Sequence, residues 1–210
     1  MPFGYGFQTP EDAASEFEAM AFLVEQMLRE ARTNITVQVI SVTGDGLTTW
    51  PVVSVQPTVN QIDGMGNATP HGTIYNVPVL MIGGGNGAVI SLPVVGDKGW
   101  MAVADRDISS VQNNDGAVSN PGSNRIMDLS DGLYIGKVWG KFPTQYVQFT
   151  ATGINMVDMN GNKLQSGPAG FNVITAPGGD FVVNGVSATL HIHGGVTTGG
   201  GSTTPPVPGT

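Results

Sequence analysis

The sequence contains no cysteine, which excludes disulfide bonds and thiolate metal sites. Charged residues are also scarce, at 11% of 210 residues, against the ~25% that is usual in globular proteins. Eight basic residues stand against 16 acidic ones, and the basic residues form no patch. This balance argues against a nucleic-acid partner. The low charge is also untypical of a soluble enzyme.

Long hydrophobic runs are absent as well. No stretch reaches the ~18 consecutive apolar residues of a transmembrane helix. The opening residues, Met1-Pro-Phe-Gly-Tyr-Gly-Phe-Gln, lack the basic region and apolar core of a signal peptide. We therefore expect synthesis in the cytoplasm without export, and we expect any contact with a membrane to be imposed from outside.

Residues 1–32 predict an N-terminal helix. Thr9 followed by Pro10 and two acidic residues is typical of a helix start, and the helix is expected to run to about Arg32. Its apolar residues are spaced alternately by four and three positions, which is a heptad pattern. Packing on the following domain, packing around a three-fold axis and docking onto a partner all fit this pattern. The heptad residues are Ala13, Phe17, Met20, Val24, Met27 and Ala31.

Residues 33–136 predict a mainly β domain with an OB-like barrel. Short β-rich segments are separated by Gly, Asp, Asn or Pro, as expected of a small barrel or sandwich. Residues 109–125 are polar and are expected to form a loop. The five predicted strands are Asn34–Val42, Thr48–Val59, Thr73–Ile82, Ala88–Pro93 and Gly99–Ala104.

Residues 137–193 predict a β structure that one chain cannot complete. Short β segments alternate with turn signals such as Asn160-Gly161 and Asn184-Gly185. This length is too short to bury a compact core, so we expect three chains to intertwine in a β-prism or β-helix, each covering its neighbour's apolar face. Residues 194–210 are rich in Gly, Thr and Pro and are expected to form an uncharged apex tail, with a disordered linker as the alternative.

Two of the three histidines, His191 and His193, stand two positions apart. In a strand such residues project to the same face, so both imidazoles can bind one ion. Two ligands hold a metal poorly, whereas a three-fold axis supplies six, enough for octahedral coordination. The pair predicts a trimer closed by a metal ion at its tip, and an ordinary exposed histidine pair is the alternative.

Three other motifs are explained more simply by structure than by chemistry. The glycine-rich segment Gly83–Gly87 lacks the Lys-Ser/Thr of a phosphate loop, so a hairpin is expected there. Asp158-Met-Asn-Gly-Asn162 resembles the start of a calcium loop without its terminal glutamate. A hairpin turn is expected here, with bound calcium as the alternative. His71, between Pro70 and Gly72, predicts a surface turn.

Five aspartates could supply the paired carboxylates of a glycoside hydrolase. They lie near predicted turns and strand ends, where capping or salt bridges with Lys98, Arg106 and Arg125 are the expected roles. We therefore expect no enzymatic activity. The five are Asp97, Asp105, Asp107, Asp128 and Asp131.

Three separate blocks resemble one protein family, the central spike proteins of phage baseplates. The segment from Val77 to Ile108, with Gly-Gly-Gly-Asn-Gly-Ala-Val-Ile-Ser-Leu-Pro-Val-Val-Gly-Asp-Lys-Gly-Trp at its centre, is similar to the family's N-terminal OB domain. Asn124-Arg-Ile-Met-Asp-Leu-Ser-Asp-Gly132 resembles that domain's downstream motif. Gly179-Asp-Phe-Val-Val-Asn-Gly-Val-Ser-Ala-Thr-Leu-His-Ile-His-Gly-Gly195 is similar to the spike apex. The blocks occur in the family's order, and residues 1–32 lie outside the resemblance.

The resemblance implies a homotrimeric needle at the tip of a contractile tail baseplate, which pierces the host outer membrane. It implies an OB collar, a three-chain β-helix and one iron ion per trimer, held at the apex by His191 and His193 of each chain. A baseplate hub or tail-tube protein would be its partner in the virion. A trimeric receptor-binding fibre or adhesin is the main alternative, and a hydrolase of cell-wall glycans is the second.

Overall fold

The structure, a computed structural model, describes residues 10–12, 14–63 and 65–188. They form two compact units, unit 1 up to Lys141 and unit 2 from Phe142. The described chain is mainly β, as expected, with one long helix. Unit 1 contains, in chain order, α1 (Glu16–Glu30), β1 (Asn34–Thr43), β2 (Val52–Pro57), β3 (Gln61–Ile62), β4 (Ala68–Thr69), β5 (Ile74–Pro78), β6 (Ile82–Gly84), β7 (Gly87–Val89), β8 (Lys98–Val103), α2 (Ser109–Asn113), the 3-10 turn η1 (Leu129–Asp131) and β9 (Gly132–Trp139).

The helix α1 begins later than the sequence predicted. Its N-cap is Ser15, whose hydroxyl accepts a hydrogen bond from the Glu18 backbone N–H at 3.2 Å. Serine at the N-cap with glutamate three residues later is a favoured helix start, and it overrides the signal at Pro10. The described residues before it form a turn instead, with the Ala14 N–H bonded to the Glu11 carbonyl at 3.1 Å.

The main sheet of unit 1 has five antiparallel strands in the order β5-β2-β1-β8-β9. Alternate residues of β1 point inward, as a half-buried strand requires. They meet the inward residues of the other four strands in one core. Its fully buried members are Val37, Val39, Val53, Val55, Val77, Met101 and Tyr134.

The closed barrel expected from the sequence is not formed among the described residues. The two edge strands of the sheet approach at one place, where Val79 and Tyr134 form an isolated bridge and the Leu80 N–H bonds the Tyr134 carbonyl at 2.8 Å. The predicted strand at 88–93 does not join the sheet either, because β7 pairs only with β6 in a separate hairpin. The fifth position is taken by β9, which was not among the five predicted strands.

The connection from β8 to β9 is more ordered than the predicted loop. The short helix α2 occupies its start, and η1 leads directly into β9. Asp128 caps η1, since its carboxylate accepts a hydrogen bond from the Ser130 backbone N–H at 2.8 Å. Two further residues of this connection, Asp107 and Asp131, are the buried charged groups of the described chain.

Unit 2 contains a four-stranded antiparallel meander followed by a two-stranded hairpin. Adjacent strands of the meander follow each other in the chain, so every connection is a short turn. In the hairpin the turn residues Asn184 and Gly185 both have positive φ, at 51° and 81°. This agrees with the turn predicted from Asn-Gly. The strands are β10 (Tyr146–Thr150), β11 (Gly153–Val157), β12 (Lys163–Gly167), β13 (Gly170–Ile174), β14 (Val182–Val183) and β15 (Val186–Ser187).

Candidate functional site

The register of the unit 2 meander gathers seven of its apolar side chains on one side. Phe149 lies opposite Ile154 across β10 and β11, and Met156 lies opposite Leu164 across β11 and β12. Residues directly opposite each other in a ladder project to the same face. Because side chains alternate along each strand, seven apolar residues share this face with Ser166. We call these seven the apolar face: Val147, Phe149, Ile154, Met156, Leu164, Phe171 and Val173.

No other described residue of unit 2 covers the apolar face. Phe149 is 78% exposed and Phe171 is 66% exposed, although both belong to strands. No described residue of unit 2 is buried. Monomeric soluble proteins rarely expose a contiguous apolar patch of this kind, and such a patch marks an interaction surface. The apolar face is therefore the main candidate functional surface of unit 2.

The opposite side of the meander carries a row of amides. Gln148, Asn155, Gln165 and Asn172 occupy successive positions across the four strands. The Gln165 side chain donates to Asn155 Oδ1 at 3.1 Å, and the Asn155 side chain donates to Gln148 Oε1 at 3.3 Å. These hydrogen bonds link the amide groups of neighbouring strands to one another. This side is mixed rather than purely polar, because three apolar residues share it with the amides: Tyr146, Val157 and Ile174.

The loop that resembles a calcium site is a hairpin turn between β11 and β12. Asp158 Oδ1 accepts the backbone N–H groups of Asn160 and Asn162 at 2.8 and 2.9 Å, and Oδ2 accepts the Asn162 amide at 2.7 Å. These bonds, led by the Asn162 amide, lower the pKa of Asp158. Asp63 and Asn67 form the same turn between β3 and β4, with matching bonds at 2.8 Å. The repeated geometry is that of the predicted hairpin turn.

The predicted metal ligands His191 and His193 lie outside the described residues, as does the tail 194–210. The last described feature before them is the β14–β15 hairpin, extended by the Ala188 N–H bonding the Phe181 carbonyl at 2.8 Å. Within residues 10–12, 14–63 and 65–188, no three His, Asp or Glu side chains are grouped to hold a metal. His71 belongs to a loop, and its carbonyl accepts a bond from Gln56 at 2.9 Å.

Two of the five candidate catalytic aspartates form one buried ionic cluster in unit 1. Asp107 and Asp131 are 4% and 2% exposed, and Arg125 Nη2 lies 3.0 Å from Oδ1 of each. Asp107 also accepts hydrogen bonds from the Ser109 N–H at 2.9 Å and the Ser123 hydroxyl at 2.5 Å. Hydrogen bonding by Ser109, then by Ser123, lowers the pKa of Asp107 to about 2. This cluster joins the start and the end of the β8–β9 connection.

The remaining aspartates with described partners also have structural roles. Asp128 caps η1, and its hydrogen bonds with Ser130 lower its pKa. Lys137 Nζ donates to Asp97 Oδ1 at 2.9 Å, so the cation of this salt bridge is Lys137 rather than the adjacent Lys98. The predicted ion pairing with Arg125 and the predicted capping are thus confirmed. The pairing of Asp97 across strands was missed because Lys137 is 40 positions away in the sequence.

The glycine-rich segment Gly83–Gly87 forms the β6–β7 hairpin, as predicted. Gly85 has a φ of 57°, a conformation that glycine adopts without steric cost. The segment leads into a strand rather than a helix, so it has no helix N-terminus that would bind a phosphate.

No helix among the described residues is long and apolar enough to cross a bilayer.

Residues 36–136 match the family model of the phage protein Gp138 N-terminal domain. The matched residues span unit 1 from β1 to β9, whereas α1 and unit 2 lie outside the match. No curated protein sequence matches the chain significantly. The similarity to a phage domain supports a bacteriophage structural protein associated with the virion.

Proposed function

We propose that this chain is the homotrimeric, membrane-piercing central spike of a contractile phage tail baseplate. Unit 1 forms an OB-like collar, and unit 2 forms one third of a β-helical needle. The similarity of residues 36–136 to a phage protein domain supports the viral setting. The uncovered apolar face of unit 2 supports assembly into a trimer.

The single observation that carries this proposal is the uncovered apolar face. Burying a Val, Leu, Ile, Met or Phe side chain contributes about 1.5–3 kcal/mol. Seven such side chains lie together on a meander that contains no buried residue. In the trimer the apolar faces of three chains pack against one another and form the core that one chain lacks. The outer strands β10 and β13 pair with strands of neighbouring chains.

The needle acts mechanically rather than by spontaneous insertion. Only three charged residues, Asp158, Lys163 and Asp180, follow Lys141 in the sequence. Moving ions into hydrocarbon is costly, so a nearly uncharged needle lowers the work of penetration. The force comes from contraction of the tail, through a baseplate hub or tail-tube protein that binds the collar. The host outer membrane is the surface that the needle crosses.

A metal ion closes the tip. His191 and His193 of three chains supply six imidazoles to one iron ion on the three-fold axis. The ion cross-links three chain ends that would otherwise fray, in a chain without cysteine. No calcium is needed in this arrangement, because the Asp158 turn is held by its own hydrogen bonds.

The spike has no catalytic residue in this proposal. A glycosidase needs a general acid whose pKa is raised, and the pKa values of Asp107 and Asp128 are lowered. Asp107 and Asp131 are held by Arg125 rather than facing a cleft. Release of sugars from purified murein by the protein would overturn a purely mechanical role.

Sedimentation equilibrium of the full chain tests the assembly. The expected mass is three times the 21.7 kDa of one chain, with no folded monomer at micromolar concentration. A folded monomer at that concentration would overturn the proposal. Gold-labelled antibodies on intact virions then separate the spike from a receptor-binding fibre. Label at the baseplate tip supports the spike, whereas label on the fibres would assign the chain to host recognition.

A further inference from the structure

The helix α1 has an apolar surface that the described residues of its own chain leave open. Its most exposed large side chains are 50–77% exposed, and no residue of the helix is buried. A lone helix of 15 residues is only marginally stable in water, so an apolar surface must be packed to keep it folded. We call this surface the α1 seam; it comprises Phe17, Met20, Leu23, Val24, Met27 and Leu28.

The C-terminal part of α1 lies beside the main sheet with the side opposite the seam. Ala19, Phe22 and Gln26 are half-buried, and their spacing of three and four residues places them on one face. Gln26 lines a groove of about 760 Å³ together with Asn34 and Trp100 of the main sheet. The end of the helix near Gln26 therefore faces the sheet, and the seam lies on the other side of the helix.

We propose that the α1 seams of three copies pack together as a parallel three-helix bundle. This inference rests on the proposed trimer but concerns a surface outside the matched residues 36–136. In heptad terms Phe17 and Val24 are a positions, and Met20 and Met27 are d positions. Each of the two other copies of α1 covers one flank of the seam.

The width of the seam favours three helices over two. At about 100° per residue, the six side chains span about 140° of the helix surface. A two-stranded zipper needs only a narrow a/d stripe, with charged residues at e and g. Here Leu23 occupies a g position and Leu28 an e position, so apolar surface extends to both flanks. A helix that touches two neighbours requires such a broad stripe.

The charges of α1 permit a parallel bundle. In that arrangement a g residue meets the e residue five positions later on the neighbouring helix. Glu16 then meets Ala21, and Leu23 meets Leu28. No two acidic residues are brought face to face across the seam. Of the remaining acids, Glu18 and Glu25 lie at b positions, toward solvent, and Glu30 is a g residue at the end of the helix, where α1 has no e residue five positions later.

The area of the seam also fits three helices. Full burial of one such side chain contributes about 1.5–3 kcal/mol. At about 25 cal/mol per Å² this corresponds to about 60–120 Å² removed from water. Six side chains that are about two-thirds exposed then offer roughly 250–500 Å² per helix. Three helices bury about 750–1,500 Å² in total, which overlaps the ~1,200–2,000 Å² of specific interfaces. Two helices would remain below that range.

Cross-linking of the full chain tests the bundle, and the absence of native cysteine makes each introduced thiol unique. Met20→Cys places a thiol in the seam, and Glu18→Cys places a matched thiol outside it. Each variant is first sized by sedimentation and then treated with bismaleimidoethane. We expect trimers in both cases and about tenfold more cross-linked chains for Met20→Cys, because proximity raises the effective concentration.

The outcomes separate the bundle from the spike. A trimer with equal or no cross-linking in the two variants would overturn the bundle, leave the proposed spike standing and assign the seam to a different protein. A folded monomer would overturn both. As a second test, Val24→Glu with Met27→Glu should lower the temperature of trimer dissociation. As a control, Leu47→Glu with Val118→Glu places the same two charges at exposed apolar positions outside α1. This control should leave the temperature of trimer dissociation unchanged.

Discussion

Arg125 binds Asp131 through two of its nitrogen atoms. Its Nη2 lies 3.0 Å from Oδ1 and its Nε lies 3.3 Å from Oδ2 of the same carboxylate. The Nη2 group also lies 3.0 Å from Asp107 Oδ1. One guanidinium thus pairs with two buried carboxylates and holds together both ends of the β8–β9 connection. Ile108 strengthens the link, because its N–H donates to Asp131 Oδ1 at 3.1 Å.

Replacing Arg125 by alanine should destabilise unit 1 strongly. Asp107 and Asp131 would keep their buried positions without a cation, which is a costly arrangement. Arg125→Lys should recover only part of the loss, since an ammonium cannot bind two carboxylates in the same geometry. Differential scanning calorimetry measures the change in melting temperature. Lys98→Ala, which removes an exposed cation from the same unit, is the control, and an equal effect of the two alanine variants would contradict the structural role of the cluster.

The stability of unit 1 should fall as the pH drops from about 4 to about 2. The pKa of Asp107 is lowered from 3.8 to about 2 by hydrogen bonds from Ser109 and Ser123. A carboxylate with a lowered pKa in the folded state stabilises the fold above the unfolded pKa, and this stabilisation is lost as pH falls through the folded value. Thermal unfolding followed by circular dichroism should therefore show a smaller fall over this window in Asp107→Asn. Asp115→Asn, at an exposed loop position, should keep the full fall.

Tyr134→Phe should stabilise unit 1. The Tyr134 side chain is buried, and its hydroxyl has no hydrogen-bond partner among the residues that the structure describes. Burial and the nearby Asp97 raise the pKa of this hydroxyl to about 12. A buried polar group without a partner costs about 1–3 kcal/mol, so its removal should increase the free energy of unfolding by an amount of this order.

Met101→Ala should lower the free energy of unfolding of the same core. Met101 is fully buried beside Tyr134, and truncation of a buried methionine costs about 2–5 kcal/mol. Chemical denaturation measures both variants under the same conditions. A loss of stability in Tyr134→Phe would show that the hydroxyl has a partner, such as a buried water molecule.

The sequence predicted local structure well where a few adjacent residues determine it. The turn at Asn184-Gly185 needs two residues with positive φ, and the Asp158 turn closes on Asn162 only four residues away. The β-rich segment Asn34–Val42 likewise predicted β1, which the structure places at Asn34–Thr43. In each case the stabilising contacts are close in the sequence or follow a simple period.

Contacts between distant residues were harder to predict. The fifth strand of the main sheet is β9, which pairs with β8 across the whole connection from 104 to 131. The predicted strand at 88–93 contains a similar apolar pattern but pairs locally with β6. The helix start was placed at Thr9 because Pro10 is a strong local signal, whereas Ser15 forms the cap that the structure contains. Periodicity alone does not choose among competing partners or caps.

Phe149→Lys should weaken the proposed trimer. Phe149 lies on the apolar face, which the trimer would bury, and an unpaired ammonium is costly to bury there. Gln148→Lys is a matched control, since it introduces the same charge one residue away on the opposite side of β10. Sedimentation equilibrium should show dissociation of Phe149→Lys at concentrations where the control stays trimeric. Equal behaviour of the two variants would contradict burial of the apolar face.

The metal at the tip should disappear when its proposed ligands are removed. Elemental analysis of the purified wild-type protein should find about one iron per three chains, because six imidazoles complete one octahedron. His191→Ala with His193→Ala should contain none, whereas His71→Ala keeps both histidines of the pair and should retain the full amount. Acid should act like the double substitution, since imidazoles protonate below about pH 6 and then cannot bind metal. Without the cross-link, residues after Val186 should be trimmed first by proteases. Wild-type protein without stoichiometric metal, or iron retained in the double variant, would show that this pair is not the ligand set.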